Sequence, residues 1–130
     1  METPSEAARY APENPRWMLL AVGMMAVHQA QSVIEEPNEL AFRATTLTIA
    51  ALMPLTTRLP RRVRGAVWML VGVPPLFGAF AGHIVPIVRT QRVPPASETA
   101  PLNLAGAAFL IALGAALLRS PAEELDTPQG

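Results

Sequence analysis

A chain of 130 residues with no cysteine and a formal net charge of zero lacks thiolate chemistry and any charge surplus for nucleic acid. Only 15% of its residues are charged, against about 25% in water-soluble domains, while 51% are hydrophobic. The charges are also segregated, because residues 17–34, 44–57, 65–88 and 99–118 contain no Asp, Glu, Lys or Arg. A hydrocarbon core of about 30 Å takes roughly 20 apolar helical residues to cross. The pattern therefore predicts an all-α integral membrane protein, with four transmembrane helices in an up-down bundle.

In chain order, residues 1–15 are polar and hold Pro4, Pro12 and Pro15; they read as a disordered cytoplasmic tail. The first span covers about 17–34, with Arg16 and Trp17 at an interface. Its apolar start could serve a cleaved signal peptide, but the long, net acidic tail ahead of it and the lack of a small-residue cleavage site argue against that. Glu35, Glu36, Pro37, Asn38 and Glu39 make a turn in which Pro37 stops one helix and Asn38 is placed to cap the next. The second span covers about 40–57, with Pro54 near its end, and the basic run from Arg58 to Arg64 follows. The third covers about 65–88, where Pro74-Pro75 predicts a kink. A Pro-rich loop precedes the fourth span, about 102–118, and residues 120–130 form a second disordered tail. Transmembrane strands are excluded, since the apolar runs are too long and lack period-two alternation.

Arginine placement predicts orientation. Every basic residue is Arg, a composition associated with GC-rich bacterial genomes. Arg9, Arg16, Arg58, Arg61, Arg62, Arg64 and Arg119 fall on one side of a four-span topology, and Arg43, Arg89 and Arg92 on the other. The positive-inside rule then puts both termini in the cytoplasm of a cell whose inner (cytoplasmic) membrane the chain crosses.

This topology gathers scattered polar residues into one leaflet. His28, Gln31, Ser32 and Glu35 recur at helical spacing on one face of the first span. Glu39, Arg43 and Thr46 form a stripe at the start of the second, with Glu39 and Arg43 spaced for an i,i+4 ion pair. His83 lies near the end of the third span and Asn103 at the start of the fourth. An ionisable group inside a span costs at least about 2.5 kcal/mol unless partnered, so such groups mark candidate sites. His28, Glu35, Glu39, Arg43 and His83 are the candidate catalytic residues; Gln31, Ser32, Thr46 and Asn103 are candidates for holding a substrate or partner. Gly78 and Gly82, with Ala108 and Ala112 on the fourth span, have the small-xxx-small spacing that lets helices approach closely.

Two function classes follow. Small residues and few aromatics fit an accessory or scaffold subunit without catalytic activity, packed in the lipid bilayer against another membrane protein or a second copy. The alternative is a membrane-embedded enzyme or cofactor carrier. Its His/Glu/Arg cluster would perform acid–base chemistry on a lipophilic substrate, or the histidines would bind haem or a metal. No spacing of the HExxH kind supports a metal site, and the sequence names no cofactor. Pro37-Asn38-Glu39 resembles the Pro-x-Glu-acidic motif of small membrane lycopene cyclases, with Leu40 where that motif has an acid. His28…Glu35-Glu36 resembles the His-x-x-Glu-Glu pattern of another membrane family, with six intervening residues in place of two. Neither departure allows a family assignment. The orientation is directly testable: a reporter after Gly130 should be cytoplasmic and one at Ser97 external, and an external C-terminus would move the polar cluster to the other leaflet.

Overall fold

The computed structural model describes residues 11–119; the tails at 1–10 and 120–130 lie outside the described residues. Among the described residues the structure is helical, with no strand. Helix α1, Pro15–Glu35, is started by Asn14, whose side chain accepts the Arg16 N–H at 3.0 Å. Pro15 takes the first helical position, where a missing N–H costs nothing. Ahead of it Glu13 pairs with Arg61. A 3-10 turn, Pro37–Glu39, leads into α2, Leu40–Leu52. Asn38 lies inside that turn, so Glu39 holds the capping position, and its side chain does not bond to the first-turn N–H groups.

After Leu52 the chain tightens into a 3-10 segment, Met53–Arg58. Pro54 has no N–H to give, and the hydroxyls of Thr56 and Thr57 bond back to the carbonyls of Met53 and Pro54 at 2.6 and 2.8 Å, which competes with regular α geometry. Helix α3, Arg61–Ala79, runs on through Pro74 and Pro75. Its irregularity falls one turn later, as a π-helical turn, Phe80–Ile84, closed by the Val85 N–H donating to the Phe80 carbonyl. Helix α4, Val85–Thr90, completes the rod and ends at Gln91 in the left-handed region. The rod is 30 residues, about 45 Å at 1.5 Å per residue, so it can cross a bilayer with tilt. Helix α5 is Ala100–Arg119. Four helices are thus long and apolar enough to span a membrane: α1, α2 with its 3-10 extension, the α3–α4 rod, and α5.

Helix α5 is the hub. It packs against both α1 and α3, while α2 leans mainly on α1. Residue numbers rise along α5 as they fall along its neighbours: Gly106 meets Ala21 and Met25, Gly72 meets Ala107 and Ile111, and Gly65 meets Gly114. Both neighbours are therefore antiparallel to α5, and parallel to each other. Ala107, Leu110, Leu113 and Leu117 pack with Met18, Ala21, Met25 and Trp68 as the core. The Trp68 indole N–H donates to Thr56 Oγ1 at 2.8 Å, which satisfies its one polar group.

The close-approach glycines differ from those the sequence indicates. A Cβ on Gly114 would stand 2.6 Å from the Gly65 carbonyl, and one on Gly106 2.6 Å from that of Ala21. Gly78 and Gly82 have nothing within 4 Å and are exposed. Ala108 and Ala112 are exposed too, because α5 turns its other face, from Asn103 through Gly106, Leu110 and Leu113 to Leu117, inward. Large apolar side chains such as Leu70, Phe77 and Val88 stay more than 70% exposed. Such an exterior suits hydrocarbon and would be a liability in water. Gly114→Ala should destabilise the fold by about 1–3 kcal/mol, whereas Gly78→Ala should be neutral or stabilising by up to about 1 kcal/mol. Unfolding in detergent micelles followed by circular dichroism checks the contrast, and equal effects would contradict the close α3–α5 contact.

Candidate functional site

Because the helices alternate in direction, the end of α1, the start of α2, the π-turn of the third span, the loop before α5 and Asn103 all meet at one end of the bundle. His28 on α1 and His83 in the π-turn are both buried. Their rings stand edge to face with centroids 5.0 Å apart. π-Turns are frequent at functional sites because the extra residue re-aims a side chain.

The loop of residues 91–99 holds both rings. Ala96 is buried and has a left-handed backbone, φ 61°, a conformation costing a non-glycine residue roughly 1–2 kcal/mol. Ser97 Oγ lies 2.9 Å from His83 Nδ1, and Thr99 Oγ1 lies 2.9 Å from His28 Nδ1. The direction of the second bond can be derived. Gln31 Nε2 donates to Glu98 Oε2 at 2.9 Å, so the other end of the Gln31 amide presents its carbonyl oxygen to Thr99. A carbonyl can only accept, so the single hydroxyl proton of Thr99 goes to Gln31 Oε1. Thr99 must then accept from His28, which puts the imidazole proton on Nδ1 and leaves Nε2 as a base. Ser97 can donate or accept, so His83 is not constrained in this way.

The second network is built around Arg43. Its guanidinium donates to Gln29 Oε1 at 3.0 Å, Glu36 at 3.2 Å and Glu39 at 2.9 Å. Gln29 Oε1 also accepts from Thr46 Oγ1 at 3.2 Å. The Glu36 side chain is 26% exposed and that of Glu39 53%. The inner part of the network is therefore a neutral Arg43–Glu36 pair, with Glu39 at the mouth, where screening weakens its pull.

The two networks face a cavity of about 460 Å³ between α1, α2 and the third span, with Gly78, Gly82 and Asn103 also in its wall. Asn103 donates from Nδ2 to the Pro75 carbonyl at 3.1 Å, which fixes α5 to the proline segment of α3. A second cavity of about 270 Å³ lies beside it, walled by Val22, Met25, Ala50, Met53, Leu70 and Val71. Gln29, Thr46, Ile49, Pro74 and Pro75 border both.

Of the candidates from sequence, His28, Glu39, Arg43, Thr46, His83 and Asn103 line the polar cavity. Gln31 stands behind His28 and does not line it, Ser32 is wholly buried, and Glu35 is exposed and outside the cluster. The inward carboxylate is Glu36: the chain leaves helical geometry there, φ −131°, ψ 68°, which swings it toward Arg43. Gln29, Glu36, Ser97, Glu98 and Thr99 were not among the sequence candidates. The signal for Gln29 was present, since Val22, Met25, Gln29 and Ser32 form a second inward stripe on α1. Coaxial ligation of one haem iron would need ring centroids about 6 Å apart, from metal–nitrogen bonds of about 2 Å plus the ring half-widths, more than the 5.0 Å found. Among the described residues no group of three or more His, Cys, Asp or Glu is placed to hold a metal ion.

No protein-family model, curated protein or solved structure matches this chain. The hydrogen-bond directions at His28 carry their own test. In Thr99→Val the buried Nδ1–H loses its acceptor, at a cost of about 1–3 kcal/mol. Nitrogen NMR should report the Nδ1–H form for His28 in the parent protein and a mixture of tautomers in the variant. An Nε2–H form in the parent would contradict the derivation.

Proposed function

We propose that this chain is a multi-pass membrane protein that binds a lipophilic molecule in the polar cavity and moves a proton on it, with His28 as the base. One observation carries the reading. The polar side chains line a cavity of about 460 Å³, whereas side chains that merely join helices close on one another and need no such volume. The arginine bias supports an orientation with this cavity in the outer leaflet and both termini in the cytoplasm.

The chemistry follows from the groups present. His28 Nε2 takes a proton from the substrate, and the Arg43–Glu36 pair offers fixed dipoles to the charge that develops. The imidazolium exchanges its proton with solvent through the mouth of the cavity and returns one to the substrate at a different atom, so nothing is consumed. Isomerisation and cyclisation are reactions of this type. His83, in edge contact with His28, limits its rotation and is a second proton carrier within reach.

The reading as an accessory or scaffold subunit keeps one observation in its favour. No residue of α2 is buried, so its outer face is open to another membrane protein or a second copy.

A single measurement separates the two. Purified protein is incubated with a membrane lipid extract in heavy water, and the lipids are analysed by mass spectrometry. Proton abstraction and return should place solvent deuterium in one lipid component. His28→Gln should lower that incorporation at least about 100-fold, the lower end of general-base contributions, while Glu35→Gln, outside the cluster, should leave it unchanged. Absence of deuterium from every lipid would reject the acid–base reading in favour of the scaffold.

A further inference from the structure

We infer that the ligand is a single-chain amphiphile with an uncharged hydroxyl head, the head lying in the polar cavity and the chain in the aliphatic cavity beside it. The inference rests on the reading of the polar cavity as a binding site, and it names the class of molecule that fits there.

The shape of the site comes first. The two cavities are adjoining compartments, since Gln29, Thr46, Ile49, Pro74 and Pro75 border both. One wall set is polar and the other aliphatic, so a molecule occupying both must be polar at one end and hydrocarbon at the other. The aliphatic compartment, about 270 Å³, is below the roughly 300–1,000 Å³ of sites that enclose a whole drug-sized ligand. It suits one slender chain and is too small for the paired chains of a bilayer phospholipid. Its rim includes Leu70, 72% exposed, and Ile49, 42% exposed. The chain can therefore come in sideways from the hydrocarbon, between α2 and α3.

The head is defined by what the polar walls leave on offer. Arg43 is the sole cation lining the cavity among the described residues; its two terminal nitrogens are bound to two carboxylates and Gln29, and its buried Nε has no partner. A phosphate or carboxylate head would meet a cation whose charge Glu36 and Glu39 already match, and would face both of those carboxylates. An ammonium head would have to shed water inside a compartment whose inner charges already cancel, with the surplus carboxylate, Glu39, at the exposed mouth. His28, by contrast, presents an acceptor at Nε2, because Thr99 holds its proton on Nδ1. The complementary group is a neutral donor, and a hydroxyl supplies it.

The test uses the full chain in lipid nanodiscs and three probes of equal chain length, each with a photoreactive diazirine at the chain end. The heads are a primary alcohol, a phosphate and a trimethylammonium. The alcohol should label Ile49, Met53 or Val71, and unlabelled long-chain alcohol should compete. The other two heads should label these positions at least tenfold less. Ala50→Trp fills the aliphatic compartment without touching the polar one and should abolish labelling; Val71→Phe gives the same reading if the first variant fails to fold. Labelling confined to outward positions such as Phe77 and Leu118, unmoved by competitor, would overturn the chain seat. Stronger labelling by the phosphate or the ammonium would overturn the head assignment. Groove labelling by the alcohol without deuterium exchange would sustain this inference and sink only the proton-transfer reading. Deuterium exchange without groove labelling would do the reverse.

Discussion

Gly65 and Gly114 let α3 and α5 touch backbone to backbone, and Gly106 does the same between α5 and α1. In hydrocarbon, where apolar side chains gain little by leaving lipid, such close contact is the main source of helix association. These contacts also set height. Since α1 and the third span are both keyed to α5, they lie parallel and at fixed levels relative to each other. That common reference brings His28 level with His83, although 54 residues separate them in sequence (83 minus 28, less one). A loose helix pair at either glycine contact would change which side chains face one another at the polar end.

The second helix is built on a different principle. With no buried residue in α2, it is held less by packing than by polar ties to α1. Arg43 and Thr46 both reach Gln29, and Arg43 reaches Glu36 across the turn. Such bonds are directional and few, so they locate α2 without drawing it flush against α3. The space left between is where both cavities lie. Close packing and open volume are thereby divided among the helices: α1, α3 and α5 make the packed unit, and α2 is the wall that leaves room.

The four spans were legible because charge-free windows of bilayer length have few other meanings. The meeting of polar groups at one end was legible for the same reason, since alternating spans leave little choice. Finer features turned on rotation about each helix axis, which the pattern left ambiguous. On α1 the stripe through His28, Gln31, Ser32 and Glu35 competed with the one through Val22, Met25 and Gln29. The buried face takes from both, and Glu36 enters only because the helix has already ended. Gly78 and Gly82 have the spacing of a packing motif, but spacing permits approach without saying which face turns inward. Ser97 and Thr99 sit in a loop with no periodicity, and their hydroxyls reach the histidines through the backbone reversal at Ala96.

The π-turn at Phe80–Ile84 has a further implication, concerning how such a site arises. A π-turn is an α-helix that has absorbed one additional residue without being broken. Read backward, an ancestral rod lacking that residue would present everything beyond it rotated by about 100°, one residue's share of a 3.6-residue turn. A single-codon insertion is thus enough to change which residue of this span meets His28, while the glycine contacts lower on the same rod keep their register with α5. The bundle can gain or lose its histidine pair without being redesigned.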